Sequence, residues 1–138
     1  MPRAPLPLEL QHFLDAARPA IIATIRPDGA PSTTATWYRW MDRRVLVNMV
    51  ASGPRARNLR NDPRVSLTIL GENWYDHVSL LGRAVEFRDD GKLKDLDMLS
   101  TRYTGQPYPK RHLSCVSVLI DVERWHSWGD PTYGLATR

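Results

Sequence analysis

The chain has 138 residues, 42% hydrophobic and 25% charged, with a net charge of +4 at neutral pH; this suits one globular domain, residues 1–138, around one core. Its longest apolar run, Ala20 to Ile25, is strand length, far short of the ~20 residues of a membrane span. Cys115 is the single cysteine, so no internal disulfide forms, as befits a reducing compartment.

The opening MPRAPLPLEL shows no apolar stretch followed by a small-residue cleavage site, so a cytoplasmic location without membrane contact is expected. The basic balance comes from 16 Arg against 3 Lys. It admits nucleic acid, anionic lipid or a phosphorylated small molecule as partner. No nucleic-acid-binding motif accompanies it, so no nucleic acid is expected. Most of the arginine excess reads as the codon bias of a GC-rich genome.

In chain order, a proline-rich arm precedes a short amphipathic helix over 9–17, with Leu10, Phe13 and Leu14 on one side. A strand follows over 20–26, and Pro27-Asp28-Gly29 has hairpin chemistry. The second strand, 32–40, is rich in threonine and aromatics. After a turn at Met41-Asp42-Arg43 comes a third strand, 44–50, and then a helix signal in which Ser52 can cap and Pro54 suits the first turn. Asp62-Pro63 stops that helix. A fourth strand over 64–70 and a fifth over 77–88, bent at Gly82, lead to a helix over 92–103 and a sixth strand over 114–122. Six mainly hairpin-linked strands without a long helical layer predict a mainly β, antiparallel sheet curled into a barrel.

The stretch from Ala51 to Arg60 is the richest in chemistry. A strand ends and a helix begins there, so free backbone N–H groups meet Ser52, Arg55 and Arg57. That combination suits an anion, although an ordinary solvated basic helix shows the same composition. On the second strand Ser32, Thr34, Thr36 and Tyr38 alternate onto one face. The row fits either a polar floor for a ring system or plain strand propensity. Trp37, Trp40 and Trp74 sit near predicted turns, placed to line a groove or to pack. The four histidines are scattered, and neither a catalytic elbow nor a metal pattern is present. The acidic residues of 89–97 read as a solvated helix face. A protein that only positions a redox cofactor needs no other engine.

Four segments carry a family resemblance: Ile22 to Pro31, with Trp37-Tyr38 beyond it; Arg57-Asn-Leu-Arg-Asn-Asp-Pro-Arg-Val-Ser66; His77 to Ala84; and Ser127-Trp128-Gly129. In these the chain resembles the pyridoxamine 5′-phosphate oxidase-like, or flavin/deazaflavin oxidoreductase, superfamily. The resemblance implies that the six strands form a split barrel, and that a homodimer binds cofactor in a groove between subunits. It implies that Ser52, Arg55, Arg57 and Asn58 hold the cofactor's phosphate. Strand two, with Ser32, Thr34 and Thr36, would line the ring system together with Met49, Val50 and Ala51, and Trp74, Tyr75 and His77 would reach over from the partner. Two positions depart from the usual pattern: Ala35 where relatives often have proline, and Arg55 where they often have lysine. The chain ends at Arg138, without the C-terminal segment by which true pyridoxamine phosphate oxidases bind substrate. The short form with its RNL-x-x-DPR helix is similar to the branch that uses coenzyme F-420. The expected activity is therefore F-420-dependent reduction of a small organic acceptor; FMN-dependent oxidoreduction and non-catalytic cofactor binding are the alternatives.

Overall fold

The computed structural model describes residues 1–131; residues 132–138 of the expected single domain lie outside them. The chain opens with helix α1 (Leu8–Leu14), which buries Leu10, Phe13 and Leu14 against the sheet. Strands β1 (Ala20–Ile25) and β2 (Pro31–Thr36) form a hairpin. Its turn depends on Gly29, whose φ of +87° costs glycine little, and on Asp28, whose carboxylate accepts the Ala30 N–H.

The expected second strand breaks in two. Trp37 and Tyr38 leave the ladder, and Arg39–Met41 forms a separate β3 paired with β4 (Arg44–Val50). The cause is Tyr38. Its ring is fully buried in the main core, and its hydroxyl lies 2.9 and 3.0 Å from the carbonyl oxygens of Leu14 and Ala16. Tyr38 is therefore a core residue, not part of a threonine-lined face. Helix α2 (Pro54–Asn61) follows, then β5 (Arg64–Leu70), β6 (His77–Asp89), α3 (Lys94–Thr104) and β7 (Cys115–Trp128).

The result is one antiparallel sheet of seven strands among the described residues, not six, in the order β2-β1-β5-β6-β7-β4-β3. It curls around an apolar core to which Ile22, Val47, Leu67, Leu80 and Val118 contribute. It does not close: β2 and β3 are its two edges, a split barrel. Gly82 supplies the bend in β6, where the register with β7 shifts, and a Cβ there would collide with the Asp121 carbonyl. No helix among the described residues is long and apolar enough to cross a membrane.

Helix α3 (Lys94–Thr104) begins two residues later than its leucine spacing predicts. Leu93 takes a left-handed conformation before it, and the Asp90 carboxylate accepts the backbone N–H groups of Asp95 and Leu96. The acids of this stretch are consequently not a plain solvated face. Asp90 is buried, Asp95 accepts the Ser117 hydroxyl hydrogen, and Asp97 pairs with Arg111.

Candidate functional site

At the split, a cleft of about 640 Å³ lies between the end of β2, the end of β4, the first turn of α2, and α3 with its following loop. Thr36, Met49, Val50 and Arg55 line it, as does Trp37, so four of the expected cofactor-binding residues converge here.

The α2 end of the cleft is electropositive by construction. The helix starts on Gly53, with no side-chain cap, a proline at its first turn and no acidic residue there. Ser52, expected to cap, is instead exposed in the preceding turn. The tight Val50–Gly53 turn brings Gly53 into the cap position, where a Cβ would lie 3.2 Å from the Val50 carbonyl oxygen. Free N–H groups and the positive end of the helix dipole remain uncompensated. Arg55, on the first turn, adds a cation where a helix least favours one.

Burial lowers the Arg55 pKa from its usual value. Its hydrogen bond is to a neutral oxygen, Thr36 Oγ1 at 3.3 Å. No carboxylate pairs with it among the described residues. A half-desolvated guanidinium without an anion is an unfavourable arrangement unless an anionic ligand completes it.

The rest of the helix is tied down. Ala56 and Leu59 are in the core, and Asn58, also buried, donates from Nδ2 to Thr24 Oγ1 at 3.1 Å. Asn58 thus faces the barrel and fixes α2 to β1, with its amide turned from the open side of the helix. Arg57 is exposed on that open side. Ala51 contributes backbone: its carbonyl accepts from Arg60 at 3.0 Å. Ser32 and Thr34 lie farther along β2, paired with Thr24 and Ile22 and outside the cleft lining.

The opposite end of the cleft is apolar and aromatic. Trp37 stacks on Tyr103, with centroids 5.6 Å apart and planes 19° apart, and meets Tyr108 edge-on at 6.1 Å. The Tyr103 hydroxyl donates to the Arg18 carbonyl at 2.7 Å. Burial raises the Tyr103 pKa, and burial with the nearby Asp90 raises that of the Cys115 thiol. At neutral pH both therefore stay protonated, and neither serves as a base. Asn48 stands on the same wall, its Nδ2 held by Asp90 and Ser117 at 3.0 Å each, while its buried Oδ1 has no partner among the described residues.

Tyr103, Tyr108 and Asn48 escaped the sequence reading. Tyr103 was visible only as a helix residue, Tyr108 lies in an irregular loop, and Asn48 looks like any polar residue on an alternating strand. Trp74, Tyr75 and His77 are not in this chain's cleft. Trp74 and Tyr75 stand 74% and 51% exposed on the turn before β6, and His77 Nδ1 lies 2.7 Å from the Tyr75 carbonyl.

Comparison with known proteins agrees with this architecture. Residues 6–129 match the pyridoxamine 5′-phosphate oxidase family. Among solved structures, an F-420 reductase superposes with a TM-score of 0.77 at 21% identity, over 84% of this chain and 94% of that one. A conserved hypothetical protein of Mycobacterium tuberculosis gives 0.70 at 28% identity, over 97% and 89%. General stress protein 26 of Bacillus anthracis gives 0.66 at 15%, over 88% and 93%. With the match covering residues 6–129, nearly the whole sequence, the chain belongs to the pyridoxamine 5′-phosphate oxidase family.

Proposed function

We propose that the cleft holds an anionic flavin-type cofactor, coenzyme F-420 in the first instance, and that the protein is an oxidoreductase reducing a small organic acceptor. The observation that carries this reading is Arg55, half-buried, without a carboxylate partner among the described residues, on the uncapped first turn of α2. The cleft volume lies in the range of small-molecule and cofactor sites. The F-420 reductase of the same fold supports the choice of deazaflavin. FMN, with the same need for a phosphate clamp, is the second reading.

In this reading Arg55 and the free α2 amides grip the phosphate, Arg57 adds charge at the rim, and Thr36, Met49 and Val50 flank the ring system. The bound cofactor supplies the hydride chemistry. The protein supplies orientation and a dry apolar wall. With Tyr103 and Cys115 held protonated, no cleft residue is assigned a proton-transfer role.

A second copy of the chain belongs to the proposal. Ile21, Thr68, Ser79 and His126 share one cross-strand row on the outer sheet face. Leu81 and Trp128 stand 40% and 60% exposed beside it. A homodimer covering this face would carry Trp74, Tyr75 and His77 toward the partner's cleft. Its setting would be the cytoplasm.

Titrating the purified protein with oxidised F-420 and with FMN, followed by tryptophan fluorescence, tests the reading. Micromolar binding of either is expected; if neither binds more tightly than about 1 mM, the reading fails.

A further inference from the structure

We propose that the α3 half of the cleft is a subsite for a planar molecule that is neutral or anionic, with Tyr108 as the residue that sets its shape. Calling that molecule the hydride acceptor rests on the redox reading above; the existence of the subsite does not.

The wall is built in advance. Asp97 Oδ1 accepts the Tyr108 N–H at 3.1 Å. Arg111 grips both oxygens of the same carboxylate, at 2.6 and 3.0 Å, and donates to the Tyr108 carbonyl at 3.0 Å. A forked ion pair thus clamps the backbone of the loop after α3 on both sides of Tyr108. The Tyr108 ring then meets Trp37 at 76°, while Trp37 lies nearly parallel to Tyr103. Flat surfaces at a near-right angle form a corner into which a planar guest fits, with one ring face and one edge covered. Leu96, Leu99 and Leu113 close the corner with aliphatic surface.

Charge narrows the guest. Arg55 is the only charged residue on the cleft wall among the described residues, and no carboxylate lines it. An aromatic corner alone would accept a cation. Here a cation would enter a partly dehydrated space already holding an uncompensated guanidinium, where repulsion is poorly screened. A neutral guest meets no such penalty, and an anionic one is drawn to Arg55 against the opposing charge of Asp90, which lies behind Asn48 and Cys115.

The test uses three naphthalenes of matched shape, 2-naphthoate, 2-naphthamide and 2-naphthylmethylammonium, with calorimetry on the intact protein and on Tyr108→Leu and Tyr108→Phe. The naphthoate and the naphthamide are expected to bind, and the ammonium about tenfold more weakly or not at all. Tyr108→Leu should weaken naphthamide about fivefold or more, and Tyr108→Phe less than about twofold. Equal binding of ammonium and naphthoate overturns the proposal, as does naphthamide affinity untouched by Tyr108→Leu. If the naphthalenes behave as expected while neither cofactor binds, the redox reading falls and the subsite stands. If a cofactor binds while the naphthalenes do not, the subsite falls alone.

Discussion

Replacing Arg55 by methionine separates a phosphate clamp from a structural arginine. Methionine keeps most of the side-chain volume and its helix propensity while removing the charge. In the free protein Arg55 contributes little that methionine cannot. Its side-chain hydrogen bond to Thr36 Oγ1 is long at 3.3 Å, and its charge opposes the helix dipole, an effect of about 0.3–1 kcal/mol. Stability should therefore hold or rise slightly in urea unfolding. Binding should behave oppositely. A charge-assisted bond to phosphate from a partly buried guanidinium is worth about 1.5–3 kcal/mol, or about ten- to hundredfold in Kd. Arg57, exposed on the same helix, should contribute no more than about 1 kcal/mol, less than about sixfold, and that part should fade with added salt. Calorimetric titration of the parent, Arg55→Met and Arg57→Ala with FMN or F-420 at two salt concentrations reads both effects. Equal losses in the two variants, or an Arg55→Met protein that binds normally but unfolds more easily, would refute the reasoning.

Other expectations follow from the same geometry. Asn58→Ala strands the buried Thr24 hydroxyl, costing about 1–3 kcal/mol in chemical denaturation, and leaves cofactor affinity within about twofold. Gly82→Ala forces a methyl group against the Asp121 carbonyl and should destabilise by about 1–3 kcal/mol or more, with altered amide exchange in β6 and β7. The hydrogen bonds from Arg64 hold the Asp62 carboxyl down at about 2. Because this folded-state pKa is depressed, the stabilisation is present above the unfolded value of 3.8 and is lost as pH falls through about 2. The stability difference between the parent and Asp62→Asn should be steady at neutral pH and vanish in strong acid.

Periodic features carried most of the fold in the sequence. Val65, Leu67 and Ile69 alternate against polar neighbours, and the strand they predict has the observed bounds. Gly82 marks a bend, and the sheet bends there because only a missing Cβ lets Asp121 approach. The seventh strand was hidden because Tyr38 reads as one more strand aromatic. Its hydroxyl bonds to Leu14 and Ala16 are long-range contacts that no local pattern announces. The site was half legible for a similar reason. Arg55 lies within a local strand-to-helix signal. Tyr108 is placed by an ion pair between residues 14 apart in sequence, Asp97 and Arg111. The cap at Ser52 failed because the tight turn from Val50 made Gly53 the better first residue of the helix. The family resemblance implies Asn58 as a phosphate ligand, yet the helical phase turns its amide onto Thr24.

A crystal structure of the protein with a bound phosphate-bearing flavin or deazaflavin tests the central claim most directly. The account predicts phosphate oxygens within hydrogen-bonding distance of the Arg55 guanidinium and the first α2 amides, with the ring system running into the barrel split. A phosphate seated elsewhere, with Arg55 still turned only toward Thr36, would contradict it.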